Sequence, residues 1–348
     1  MMVITYMGQG LKRDTALAIC NLSKHQFYYR AKNGNKAGKP VSTQTLHRGK
    51  LVDNSQVITL LKEIQSNEDT NYGYRKMSYQ LSLLGFVINH KKVYRMMGQA
   101  HLLKEKIRPG REKKYVRYRT VTPERPLHVL EMDIKMVWLV EHRRHAYILN
   151  VIDTFTRVVL YWSVGYQMKQ EQINQGWREI IKNHLQPNDL LREDLHVELR
   201  NDNGPQFSAG SVKAFLAENH IHQTFTHPYT PEENGHVESF HNILKKALGK
   251  QPYWSLAELE IRLEAFYQTY NEKRIHASTA YLAPILFWKC WQQDLIERIV
   301  LEKKKVRFKL KIPYQKLSGF RNLREVLCVD FEALDGLKNQ NKATACPI

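Results

Sequence analysis

Four cysteines are all that this 348-residue chain contains, and Cys20, Cys290, Cys328 and Cys346 show no CxxC spacing. That scarcity excludes a cysteine-based zinc finger and a disulfide framework, and it fits a reducing cytoplasm. Long apolar runs are missing as well. The hydrophobic stretches are short and broken by charge, so no membrane span is expected. The opening MMVITYMGQGLKRD lacks the apolar stretch and cleavage site of a signal peptide. Acidic residues are scarce in one region only. Residues 1–122 hold 23 Lys and Arg against seven Asp and Glu, and so carry +16 of the chain's net +19. Such asymmetry points to a polyanion, nucleic acid first. A solubility charge or a ribosome-associated protein is the alternative.

What is present suits a globular protein of two or three domains, with 43% hydrophobic and 10% aromatic residues. Residues 11–32 read as two short helices around a turn, with Ser23 capping the second. This is a weak helix-turn-helix signal, equally a plain helical hairpin. Residues 33–54, rich in Gly, Asn, Lys, Pro, Ser and Thr, read as a linker. Residues 55–103 are helical again. YGYRKMSYQLSLLG ends on Gly85, a C-cap, and Asn89 caps HKKVYRMMGQAHLL. Lys91, Lys92 and Arg95 fall on helical spacing there, as a helix entering the major groove requires; a basic face turned to solvent is the simpler alternative. Residues 104–122 carry eight basic and two acidic residues interleaved with tyrosine, a linker suited to phosphates.

From residue 124 the texture changes. LHVLEMDIKMVWL, AYILNVIDTF and RVVLYWSVGY read as three meandering strands. EQINQGWREIIKNHL is a helix, LHVELRND a fourth strand, SAGSVKAFLAENH a helix and IHQTFT a fifth strand. Three antiparallel strands followed by alternating helix and strand give an α/β fold, a ribonuclease-H-like mixed five-stranded sheet with flanking helices. SLAELEIRLEAFYQTYNEKR is an amphipathic helix, LEKKKVRFKLKIPYQKL reads as basic extended structure, and the last residues, KNQNKATACPI, read as a disordered tail.

Strand parity singles out carboxylates. Leu130, Met132, Ile134 and Met136 share one face, which leaves Glu131, Asp133 and Lys135 on the other. Asp202 ends the fourth strand on its polar side, before a turn at Gly204. Thr230 as N-cap, Pro231 at N1 and Glu233 at N3 predict a boxed helix start. In that phase Asn234, Glu238, His241, Asn242 and Lys245 form one polar arc, while Val237, Phe240, Leu244 and Ala247 face the core. A solvent face is the bland reading of that arc. In the expected fold Asp133 and Asp202 lie on adjacent strands and the helix brings Glu238 alongside. Three close carboxylates need a cation, and hard oxygen donors suit Mg²⁺. Two such ions suit in-line displacement at phosphorus. Asp153 in NVIDTFTR is the rival carboxylate, with capping of the next turn as its simpler role.

In this order and spacing the pieces resemble the DDE-type bacterial insertion-sequence transposases with a retroviral-integrase-like core. Within these, the nearest subgroup makes its transposase by fusing two overlapping reading frames. The matching residues are Asp133 in EMDI, Asp202 in NDNGPQF and Glu238 in PYTPEENGHVESF, with the family's 35 residues between the last two. Lys245 matches a basic position near the active-site DNA. YGYRK, residues 72–76, resembles the helix-turn-helix before the core, and YNEKRIHASTAYLAP, residues 270–284, the segment after it. Glu131-Met132 before Asp133 and Lys135 after it depart from the common W-x-T-D-I/V-T context, and the His/Cys zinc domain of retroviral integrases is missing.

The resemblance implies a catalytic and metal-binding triad of Asp133, Asp202 and Glu238 holding two Mg²⁺ ions, with Mn²⁺ as a substitute. It implies DNA contacts from Lys245, Asn234 and His241 and, in the helix-turn-helix, from Arg75, Lys91, Lys92 and Arg95. The partners would be double-stranded DNA, as terminal inverted repeats and target, and further copies of the chain, in the bacterial cytoplasm at the nucleoid. The expected divisions are a helix-turn-helix-like segment at 1–35, a linker at 36–54, a basic helix-turn-helix domain at 55–104 and a basic linker at 105–122. A catalytic core with its trailing helix at 123–290 and a basic C-terminal region at 291–348 complete them. A longer frameshift fusion would add an upstream helix-turn-helix and coiled coil. A ribonuclease-H-like nuclease without strand transfer, and a non-catalytic DNA-binding regulator, are the alternatives.

Overall fold

The structure, a computed structural model, describes residues 2–28, 42–104, 121–227, 231–301 and 306–319. The basic stretch at 105–120, Thr230 and the tail at 338–348 lie outside the described residues. The chain divides into two compact units, Met1–Thr43 and Gln44–Ile348.

The first unit holds α1 (Met2–Gly8), α2 (Arg13–Ile19) and α3 (Lys24–Tyr28). Val3, Ala16 and Leu17 meet in a small core flanked by Leu11 and Phe27. Ser23 caps α3 as expected: its Oγ accepts from the Gln26 N–H at 3.2 Å, and its own N–H donates to Gln26 Oε1 at 2.9 Å.

The second unit opens with a hairpin where the sequence reads as a linker. Strands β1 (Gln44–His47) and β2 (Lys50–Asp53) pair antiparallel. Arg48 and Gly49 turn between them with φ of 45° and 82°. Two consecutive positive φ values make the tight turn that suits strand twist, and Arg-Gly hides it because Asn-Gly or Asp-Gly is the usual signal. Helices α4 (Asn54–Ser66), α5 (Tyr74–Leu83) and α6 (His90–Gln99) follow, with the short β3 (Phe86–Val87) between the last two. Gly85 stops α5 at φ +94°, and Asn89 Oδ1 caps α6 by accepting from the Lys92 N–H at 2.8 Å. Leu61, Met77, Leu81 and Val93 enter one hydrophobic core that also takes Ile275, Leu282, Phe287 and Leu310. These helices therefore share their core with segments near the C-terminus.

The main sheet is built from β4 (Val129–Leu139), β5 (Arg144–Asp153), β6 (Val159–Gly165), β7 (Val197–Asn201) and β8 (Ile221–Phe225) in the order β6-β5-β4-β7-β8. The first three are antiparallel neighbours, while β7 lies parallel to both β4 and β8. Helices α7 (Gln170–Ile180), α8 (Pro205–Ser208) and α9 (Gly210–Glu218) supply the connections, and α10 (Gly235–Leu248) follows β8. This is the expected ribonuclease-H-like mixed sheet. Each face is covered, as buried parallel strands require. Leu130, Met132, Leu149 and Val151 pack with Ile173, Trp177 and Leu216 on one side. Ala146, Ile148 and Ile152 pack on the other with Val237, Phe240 and Leu244 of α10 and with Leu263, Phe266 and Tyr267. The last three belong to α11 (Leu256–Glu272).

Helix α12 (Pro284–Gln292) and an antiparallel pair, β9 (Ile296–Val300) and β10 (Val306–Leu310), complete the described chain. Of the basic stretch expected to be extended from residue 301 on, β10 is a strand while Tyr314–Gly319 forms a 3-10 helix. Arg262 of α11 reaches Asp69 with two hydrogen bonds, of 2.9 and 2.7 Å. This fork joins α11 to the turn before α5. Among the described residues no helix is long and apolar enough to cross a membrane.

Candidate active site

Two of the candidate carboxylates lie just beyond the end of the β4–β7 ladder. Leu130 pairs with Leu199 and Glu131 with Arg200 across the parallel β4–β7 ladder. The ladder ends there; two residues further along each chain come Asp133, still within β4, and Asp202, one position past the end of β7. Asp202 is exposed in the turn, where its Oδ1 accepts from the Gly204 N–H at 3.0 Å. Asp133 is half-buried, and its Oδ1 accepts from its own neighbour Ile134 N–H at 2.7 Å.

The third carboxylate rides on α10, whose start differs from the sequence expectation. Residues 231–234 form a 3-10 turn and the α-helix begins at Gly235. Glu233 is buried and accepts from the His227 N–H at 2.9 Å, while Thr230, the other half of the expected capping box, lies outside the described residues. A further bond to the start of the helix comes from β4. Glu131, fully buried, accepts from the Val237 N–H at 2.7 Å and lies 2.8 Å from His236 Nδ1. A carboxylate at a helix N-terminus satisfies an orphan donor and meets the positive end of the helix dipole. Burial nonetheless pushes the Glu131 carboxyl up to about 7, against the Val237 N–H, which favours its charged form. This contact fixes α10 to β4 one residue before Glu238, a half-buried side chain.

The inward side of α10 holds Val237, Phe240, Leu244 and Ala247, as the helical phase predicts. The polar arc does not all face outward. Lys245 and Asn242 are exposed, but Asn234 and His241 are buried. His241 Nδ1 lies 3.3 Å from Asp133 Oδ2, and its Nε2 lies 3.0 Å from Asn150 Nδ2. Asn150 is the antiparallel partner of Asp133, is fully buried, and accepts a hydrogen bond from the Tyr267 hydroxyl. Glu131, Asn150 and Tyr267 escape sequence reasoning. The available signals were an acid two residues before Asp133 and a lone Asn within the apolar run YILNVID.

Asp153 has the capping role. It is fully buried, with Oδ1 accepting from the Leu127 and Phe155 N–H groups and Oδ2 from the Thr156 N–H and hydroxyl. Burial raises its carboxyl from the ordinary carboxylate range, with those four donors opposing. Both oxygens are spent on the turn after β5 and on the Leu127 N–H before β4.

Among the described residues no three His, Cys, Asp or Glu side chains stand close enough to hold a metal ion as they are. The donor chemistry nevertheless suits a hard cation. Asp133 and Asp202 each have one oxygen held by a backbone N–H and the other outside that bond. Oxygen donors of this kind, with water completing the shell, are what Mg²⁺ takes.

The predicted DNA-facing residues of the helix-turn-helix divide. Arg75, Lys91 and Arg95 are exposed. Lys92 is half-buried, and its Nζ donates to the Gln44 carbonyl at 2.6 Å, which ties α6 to β1. Lys91 and Arg95 line a cleft with Tyr74, Asn89, His90 and Tyr94.

An integrase core domain matches residues 123–231, a second integrase core domain description matches 219–284, and an HTH-like domain matches 53–111. The chain thus carries matches to an integrase core domain and an HTH-like domain, on a ribonuclease-H-like fold, and is similar to insertion-sequence transposases. The chain is 25% identical over 297 residues to the putative transposase InsK for insertion sequence element IS150 of Escherichia coli, covering 82% of this chain and 96% of that one. It is 24% identical over 249 residues to an insertion element IS407 protein of Burkholderia multivorans, covering 71% and 86% respectively. Among solved structures, the HTLV-2 integrase catalytic core domain in complex with magnesium matches at 18% identity and a TM-score of 0.33, over 46% of this chain and 94% of that one.

Proposed function

We propose that the chain is a transposase that cleaves the ends of an insertion sequence and joins them to target DNA, with Asp133, Asp202 and Glu238 as its metal-binding catalytic triad. The reading is supported by the β4–β7 ladder, which ends two residues before both Asp133 and Asp202, and by the bond from Glu131 of β4 to the start of the helix bearing Glu238. The integrase core and HTH-like domains, and the similarity to insertion-element proteins, support it.

Two divalent ions, when bound, supply Lewis-acid activation of the attacking oxygen and charge neutralisation at the phosphodiester. The three carboxylates would hold them and set the in-line geometry. Lys245, exposed two turns after Glu238, is suited to a DNA phosphate. Arg75, Lys91 and Arg95 would carry the helix-turn-helix onto the terminal inverted repeats, where phosphate contacts position and base contacts specify. Water would first attack phosphorus, breaking the P–O3′ bond to leave a 5′-phosphate and a protonated 3′-hydroxyl; that 3′-hydroxyl would then attack a target phosphodiester, forming one P–O ester bond as the target's 3′-oxygen leaves and takes the proton. The active complex would contain more than one copy of the chain. An overlapping upstream frame and flanking inverted repeats beside the gene would place it in the two-frame subgroup.

Glu238→Gln tests the assignment with labelled end DNA. Retained end binding with abolished strand joining is expected, and joining at the wild-type rate refutes the site. A wild-type protein that nicks without joining would be a nuclease. Sequence-specific binding with no Mg²⁺-dependent cleavage would make it a regulator.

A further inference from the structure

A buried polar chain ends on the first carboxylate of the triad, and its hydrogen-bond directions can be worked out link by link. Asn150 is the key. Its Nδ2 donates to the Ile148 carbonyl at 3.3 Å, and a carbonyl only accepts. Its Oδ1 accepts from the Tyr267 hydroxyl. Flipping the amide would set oxygen against oxygen at Ile148, so that carbonyl fixes the amide orientation, and the Tyr267 hydroxyl, able to donate or accept, donates to the Oδ1 that results. Its Nδ2 therefore presents a donor to His241 Nε2 at 3.0 Å. That ring nitrogen must carry the lone pair, because a hydrogen there would face a second donor. The ring hydrogen then belongs to Nδ1, which lies 3.3 Å from Asp133 Oδ2. Asp133 Oδ1 is already held by the Ile134 N–H.

We infer that His241 is a positioning residue for Asp133, locked by Asn150 and Tyr267 in the Nδ1–H tautomer so that it aims Asp133 Oδ2, and is not a DNA contact. The inference rests on reading Asp133 as a metal ligand. Its geometry is that of an outer-shell donor steering a ligand carboxylate, a role usually found next to metal sites. Burial supports it: His241 is 8% exposed, Tyr267 3% and Asn150 0%, which leaves the ring little surface for a phosphate. The sequence carries the arrangement in two places, His241 one turn after Glu238 and Asn150 directly across from Asp133.

Three substitutions separate positioning from DNA contact. His241→Asn puts an amide near the Nδ1 position and keeps a donor toward Asp133. His241→Leu removes both nitrogens. His241→Gln reaches toward the Nε2 position and offers Asp133 nothing, so it replaces the leucine variant if that one does not fold. The DNA-free protein is titrated with Mn²⁺ by calorimetry, and end-DNA binding and joining are measured separately. Leu or Gln is expected to weaken Mn²⁺ binding about 10–100-fold, the usual cost of losing an outer-shell partner, with DNA affinity unchanged. Asn should recover most of the Mn²⁺ affinity. Long-range ¹H–¹⁵N spectra of histidine-labelled wild type should show His241, identified by its loss in the Asn variant, protonated at Nδ1 and bare at Nε2. Wild-type Mn²⁺ affinity in the Leu or Gln variant overturns the inference. So does a loss of DNA affinity matching the loss of joining, or an Nε2–H spectrum. If the wild type joins no DNA the transposase reading fails, whereas the tautomer spectrum still judges the relay.

Discussion

Lys76→Met should make the protein more stable at neutral pH, although it deletes a charge from the HTH-like domain. Lys76 is half-buried on α5 with its Nζ 5.8 Å from the Tyr72 ring centre. Among the described residues no acid pairs with it; its charged surroundings are Arg274 and Lys104. Burial, then these two cations, push its ammonium from 10.5 down to about 8. The same crowding helps hold buried His276 neutral, well below the usual imidazole range. The folded state thus releases this proton more readily than the unfolded chain does. Below about pH 8 both states carry the charge and the fold bears the whole cost. As pH rises from about 8 to 10.5 the folded lysine is neutral while the unfolded one is still charged, so stability is regained. At 1.36 kcal/mol per pH unit the full cost would be about 3 kcal/mol, and partial exposure and solvent screening reduce it to roughly 1–2 kcal/mol. For a unit of this size that is a rise in melting temperature of roughly 2–6 °C. The assay is the difference in melting temperature between variant and wild type from pH 7 to pH 10, which cancels changes common to both. The advantage should be present at pH 7 and shrink above pH 8. A variant that melts lower at pH 7, or one whose advantage ignores pH, would refute the reasoning.

Asp153→Asn should lower stability by about 2–3 kcal/mol, since its amide would face N–H and hydroxyl donors, and should leave Mn²⁺ affinity intact. Asp133→Asn should do the reverse, and paired melting and calorimetry on the two variants check both. Lys91→Ala and Arg95→Ala should each weaken end-DNA binding across all sequences and reduce the salt slope of log K by about 0.9 per phosphate lost. Lys92→Ala should change that slope less, because its ammonium is already held by the Gln44 carbonyl.

Much of this architecture was legible because its signals are local. The alternation of Leu130 and Met132 with Glu131 and Asp133 set the strand faces, and α10 buries the four apolar side chains its phase demanded. Ser23 and Asn89 cap the helices their positions suggested. What escaped depends on contacts between distant segments. The α-helical part of α10 starts at Gly235, after a 3-10 turn from Pro231, and the bond from its Val237 N–H to Glu131, more than a hundred residues away, has no local signal. His241 lies on the arc predicted by 100° steps, yet only Asn150 on a neighbouring strand turns it inward. The β1–β2 hairpin was hidden by composition, since Arg48 adopts a positive φ that its residue type does not advertise.

Anomalous diffraction from crystals grown with Mn²⁺ tests the central claim most directly. A peak is expected about 2–2.5 Å from carboxylate oxygens of both Asp133 and Asp202, with Glu238 turned toward the same site. A saturated crystal with no peak between those residues, or with its metal on other carboxylates, would contradict it.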